Sequence, residues 1–202
     1  MAVKVDGRSK PRPGLDEQRR QLVDTAVRVF AERSASNVSI SELCRAADIS
    51  RPTFYRCFED KDALLAWVYD QAVDRYVSQI DLWAVPEGQP TRRWIREIVD
   101  RVVDQVLSEP DLARFVFVEY GDPTSPVREL VNERFRHTAT ELADGLDRSG
   151  RPSPSALFLM AVFAAIQWIL FETLLAGPTP ERVEAAKQAA WETAMGLVRT
   201  AP

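Results

Sequence analysis

Seven consecutive residues, Ser50-Arg51-Pro52-Thr53-Phe54-Tyr55-Arg56, bring together the groups best suited to reading a nucleic acid. The Arg51 guanidinium can donate a bidentate pair to guanine O6 and N7, and the Pro52 ring and Thr53 methyl suit a thymine methyl. The Thr53 and Tyr55 hydroxyls, with Lys61 a little further on, are groups that hold phosphate oxygens, and Ser39 offers another hydroxyl. Arg56 adds a second guanidinium on the same outward side. None of this chemistry works unless these side chains leave one face of a short helix while its other face is anchored.

The surrounding pattern supplies that support. Ser39 is an N-cap with Glu42 three residues on, which is a capping box, and it opens a helix with Leu43, Ala46 and Ala47 on the side that a neighbour can cross closely. Asp48-Ile49 forms the turn, Ser50 caps the next helix, and Phe54 and Phe58 at i and i+4 hold it from beneath. Ahead of them, Leu22, Val23, Ala26, Val27, Val29 and Phe30 make the apolar stripe of a supporting helix. Two helices broken by a tight turn, the second presenting its N-terminal residues, are the arrangement that enters a DNA major groove.

From about Leu15 to Tyr76 the chain resembles the DNA-binding domain of the tetracycline-repressor (TetR) family. The resemblance rests on Ala26 to Phe30, on S-I-S-E-L-C-R-A-A, on S-R-P-T-F-Y-R-C-F, and on Lys61 with the A-L-L that follows. It implies base and phosphate roles for Ser50, Arg51, Pro52, Thr53, Tyr55 and Arg56, and a phosphate role for Lys61. It also implies a C-terminal helical domain that binds a small ligand and dimerises. Three positions depart from the family pattern. Ser34 and Asp48 stand at turns where glycine is usual, and Cys57 replaces a residue that often meets the DNA backbone.

The whole chain reads as all-α. Proline and glycine punctuate it at 86–90, 109–110, 121–126, 150–154 and 177–180, leaving nine helical stretches: 16–33, 40–47, 51–57, 61–83, 91–108, 111–120, 126–148, 154–176 and 179–199. The expected organisation is a basic arm over 1–13, a helix-turn-helix domain over 14–62 and a ligand-binding and dimerisation domain over 63–202. Residues 1–62 carry 12 Lys/Arg against 10 Asp/Glu, and residues 63–202 carry 14 against 20. A mildly positive end on an acidic body suits local contact with phosphate and argues against a coat of nucleic acid.

Other functions find little footing. His137, the only histidine, lies in a charged stretch with Glu133, Arg134 and Arg136, and there is no H-x-x-x-H, G-x-S-x-G or phosphate loop, so no catalytic site and no cofactor or metal is expected. Cys44 and Cys57 lack C-x-x-C spacing and point to a reducing cytoplasm. Residues 156–171 are apolar but short for a membrane span and contain Gln167, so a helix buried on all sides is expected there. An apolar ligand pocket is expected among the later helices, with Trp67, Trp94, Phe115, Tyr120, Phe158, Phe163 and Trp168 as candidate lining. The Val183, Ala186, Ala190, Ala194, Leu197 stripe, with small residues on the other sides, suggests a homodimer formed by the eighth and ninth helices. The partners expected are thus a double-stranded DNA operator, a small-molecule effector and a second copy of the chain. The rival reading is a helical interaction or architectural protein with non-specific or lost DNA binding.

Overall fold

In the computed structural model, residues 14–76, 90–151 and 153–200 are described, and among them all regular structure is helical. The elements are α1 (Leu15–Glu32), α2 (Ile40–Ala46), α3 (Arg51–Cys57), α4 (Lys61–Tyr76), α5 (Thr91–Ser108), α6 (Pro110–Gly121), α7 (Pro126–Arg148), α8 (Ala156–Ala176) and α9 (Pro180–Thr200). A single 3-10 turn, Ala35–Asn37, connects α1 to α2. The helix expected over 61–83 is present to Tyr76, and its remainder, with Trp83, lies outside the described residues, as does the expected basic arm.

Local chemistry explains the boundaries. The Ser39 hydroxyl accepts from the Glu42 amide at 3.2 Å while the Glu42 carboxylate accepts from the Ser39 amide at 2.8 Å, closing the capping box of α2. These bonds, led by the one from the Ser39 backbone, draw the Glu42 carboxyl down to about 2. At the other end of α2, Asp48 adopts φ +51°. The Asp48 amide donates to Arg45 at 3.3 Å and the Ile49 amide to Cys44 at 2.9 Å, the paired bonds of a Schellman ending. Ser34 behaves otherwise than its glycine-like position suggests. Its φ is −52°, and its hydroxyl accepts from the Ser36 amide to start the 3-10 turn, so no left-handed residue is needed there. Gly177 ends α8 at φ +83°, with the Arg182 guanidinium donating to the carbonyls of Ala176 and Gly177.

Two hydrophobic cores result. In the first, Leu22, Ala26 and Phe30 of α1 meet Leu43, Phe54 and Phe58, and this core continues through α4 to Phe115 of α6 and Val127 and Val131 of α7. Phe30 and Phe115, both wholly buried, have ring centroids 6.1 Å apart. In the second, Val99, Val103 and Leu107 of α5 pack on Ala186, Ala190 and Ala194 of α9 and on Leu170 and Leu174 of α8. Lys187 of α9 reaches Asp104 of α5 at 2.7 Å over the same seam.

The expectation for α8 needs correction. The helix is apolar around its circumference, yet only one side is covered, chiefly by α7 and α9 with α5 and α6 also in contact. Leu157, Trp168 and Leu175 are 77%, 61% and 62% exposed, so a broad apolar face is left open. Among the described residues α8 is also the one helix long and apolar enough to cross a bilayer by length and composition. In α9, Ala186, Ala190 and Ala194 of the expected dimer stripe are used against α5, whereas Ala185 and Gly196 face outward.

Candidate nucleic-acid interface

The recognition surface is built by opposing faces of α3. Phe54 is fully buried and Phe58 nearly so, their rings 6.5 Å apart. The Arg19 guanidinium covers Phe58 at 4.7 Å and Trp67 at 5.3 Å, closing the edge of this support. From the other side Gln21 of α1 donates to the Ala47 carbonyl at 2.8 Å and fixes the end of α2. Ser50, Arg51, Pro52, Tyr55 and Arg56 are all exposed, and Thr53 is half-buried. Thus the structure brings these six to one outer face.

Two of the hydroxyls there already have local work. Ser50 Oγ accepts from the Thr53 amide at 3.2 Å and lies 2.9 Å from Thr53 Oγ1. Ser39 Oγ donates to Glu42 at 2.8 Å. Each is a cap at a helix start, where further amides point outward as anion donors.

Lys61 departs from its expected place. Its ammonium is turned inward and donates to the carbonyls of Ala35 and, at 3.1 Å, Val38. The Ala35 carbonyl already accepts from the Val38 amide at 3.1 Å within the 3-10 turn, and the ammonium is a second donor to it. The same turn is held from the opposite side. Glu119 of α6 is wholly buried and accepts from the Ala35 amide at 2.7 Å and the Ser125 hydroxyl at 2.6 Å. Burial raises the Glu119 carboxyl above its ordinary range, and nearby Asp122 adds to this. The Ser125 and Ala35 bonds and the Lys61 charge oppose it. Asp122 itself accepts from Ser34 Oγ, and bonds from Ser34 and Thr124 hold its carboxyl well below the carboxylate range. Nothing in the local sequence around Glu119 signals this contact, since its partner lies 84 residues away.

Both thiols lie away from reactive conditions. Cys44 is buried and Cys57 half-buried, and burial pushes both above their ordinary values.

A cavity of about 260 Å³ opens among α4, α5, α6, α7 and α8, walled chiefly by aliphatic side chains such as Val99, Val102, Val116 and Ile166. Of the seven aromatics expected in a pocket, Phe163 lines it, its ring 5.7 Å from Phe135. The others lie elsewhere. Trp67 borders a second, more polar cleft between α1, α4 and the start of α6. Trp94 is buried beneath the Arg151 guanidinium, and Phe115 is spent on Phe30. Tyr120 donates to Asn132 at 3.4 Å, and Phe158 and Trp168 are on the open face of α8. Some of these rings, such as Phe115 and Trp94, fill the core, others are on the open face of α8, and the cavity wall falls mostly to shorter branched side chains.

A helix-turn-helix carried on an all-helical body defines the class. Residues 22–68 match the family profile described as "Bacterial regulatory proteins, tetR family". Over these residues the chain carries a helix-turn-helix domain of the TetR-family type. It is 31% identical over 108 residues to the HTH-type transcriptional regulator EthR of Mycolicibacterium smegmatis, covering 54% of this chain and 50% of that one. To EthR of Mycobacterium tuberculosis it is 36% identical over 76 residues, covering 38% and 33%. The match therefore spans half or less of these relatives' length. Among solved structures, a TetR family transcription regulator from Marinobacter aquaeolei VT8 aligns with TM-score 0.60 and 25% identity over 88% of this chain and 95% of that one. FadR of Bacillus subtilis, in complex with stearoyl-CoA, aligns with TM-score 0.67 and 17% identity, covering 88% and 98%, and shares the fold.

Proposed function

We propose that the protein is a homodimeric transcriptional regulator, acting as a repressor that a small, mostly apolar effector releases from a palindromic operator. The observation that carries this reading is the outer face of α3, where Arg51, Pro52, Tyr55 and Arg56 are exposed above the buried Phe54. Arg51 and Pro52 read base edges, while Thr53, Tyr55 and Arg56 and the helix starts capped by Ser39 and Ser50 hold phosphates. Two such helices in a dimer address successive major grooves about 34–36 Å apart.

The open face of α8, with the outward Ala185 and Gly196 of α9, suits close packing against a second copy. The cavity serves as the effector site. Val116 and Phe117 of its wall are on α6, and Glu119, which grips the turn before α2, follows two residues later. A ligand that spreads this wall shifts the DNA-binding helices, provided it binds the released state more tightly. The fold accommodates acyl ligands at least in FadR, which holds stearoyl-CoA.

Selection of bound sequences from random DNA tests the reading. A palindromic consensus is expected, and apolar ligands should weaken its binding. Recovery of unselected DNA would favour an architectural protein instead.

A further inference from the structure

Two polar side chains stand out in the wall of the apolar cavity. Arg134 is the one charged residue lining it among the described residues. It is exposed, so its aliphatic stem borders the cavity and its head lies at the mouth. Its neighbours on α7 are paired, Arg136 with Glu129 and His137 with Glu141, whereas Arg134 has no carboxylate partner among the described residues. Gln167, on α8, also lines the cavity, and its amide oxygen is buried with no hydrogen-bond partner. An orphaned buried amide costs free energy until something meets it. Turning the amide over presents its N–H₂ in place of its oxygen.

The two groups line the one cavity from the contacting helices α7 and α8. Phe135 meets Phe163 across α7 and α8, Arg134 is next to Phe135, and Gln167 is one turn beyond Phe163. Other polar groups at the wall are differently placed. Tyr69 donates its hydroxyl proton to the Leu130 carbonyl at 3.3 Å and stays a neutral phenol, burial pushing it up to about 12.

From the unpaired Arg134 at the mouth and the orphaned Gln167 amide in the wall, we infer that the cavity takes an anionic amphiphile. Its apolar tail lies among the valines of α5 and α6, and its carboxylate is held by Arg134 with a hydrogen bond from Gln167. This inference rests on the cavity being the effector site. A purely neutral hydrophobe would leave Gln167 unpaired, and an alkylammonium would meet Arg134 as a like charge.

Calorimetric titration of the full chain with decanoate, decanol and decylamine separates these cases, because the three share one tail. Decanoate is expected to bind about tenfold or more tighter than decanol, the margin of a charge-assisted hydrogen bond. Arg134→Ala should erase that preference while leaving decanol binding in place, which also shows that the variant is folded. Gln167→Leu should weaken decanoate several-fold, to about the level expected for one lost hydrogen bond. If decanol or decylamine binds wild type as well as decanoate, or if Arg134→Ala keeps the preference, the head-group assignment is overturned and the effector cavity stands. If none of the three binds, the cavity reading fails together with the inference.

Discussion

Arg51 and Arg56 leave α3 on its solvent side while Phe54 between them is wholly buried, so each side chain on this helix has one task. Arg51→Ala should therefore cost about 1–3 kcal/mol of operator binding and relax preference at one base pair, with little change in stability. Competition with single-base operator variants checks this, and unchanged discrimination would remove Arg51 from base readout. Asp48 holds φ +51° with no side-chain hydrogen bond among the described residues, so Asp48→Gly should leave stability unchanged or raise it by up to about 1 kcal/mol. A loss of about 2 kcal/mol in urea unfolding would mean that the carboxylate has a bonding role of its own. Lys61 is the reverse case. With its ammonium on two carbonyls of the turn, Lys61→Met should lower stability by about 1–3 kcal/mol and weaken DNA binding without changing the salt dependence. A phosphate-binding lysine would reduce that salt slope by about 1.

At the scale of the element, Glu119 decides how α6 holds the turn before α2. Truncation to Ala strands the Ala35 amide and leaves a void, at a cost of about 2–4 kcal/mol, whereas Glu119→Gln keeps an acceptor and should cost far less. The two also differ in pH dependence. Because the folded carboxyl is raised, its stabilising contribution is complete below the unfolded value near 4.5 and is lost as pH rises through the folded value. Glu119→Gln should flatten that decline in urea midpoints measured from pH 4 upward. Glu42 and Asp122, both lowered, act in the opposite window, losing their contribution only as the solution becomes strongly acidic, so the two trends separate. This element also marks the limit of sequence reading. Helix ends were legible because Pro, Gly and capping residues act locally, and α3 was legible because its inward and outward residues alternate by helical period. Glu119 and Lys61 were not, because each is committed to a backbone group far along the chain. The cavity was misplaced onto aromatics because shape decides which space remains empty, and periodicity carries no shape.

Across the whole molecule, the uncovered side of α8 is the largest unsatisfied demand. Trp168→Glu or Leu175→Glu places charge on that face without disturbing the chain's own core, so either should shift a dimer to monomer in light scattering and weaken operator binding. A dimer that persists with both substitutions would place its interface elsewhere. An apolar circumference signals burial, and the proposed dimer of α8 and α9 would supply the cover that the chain itself leaves off. One feature of the junction bears on how such a protein tolerates change. The 35–38 turn is gripped by its amide and its carbonyls, through Glu119 and Lys61, and no side chain of the turn takes part in those bonds. Drift at position 35 can therefore alter its packing but cannot delete the donor, save by proline. Beside the Ser34–Asp122 bond and the Phe30–Phe115 contact, Glu119 and Lys61 hold the turn by groups that every residue but proline carries, so the side chains at 35–38 are free of that task.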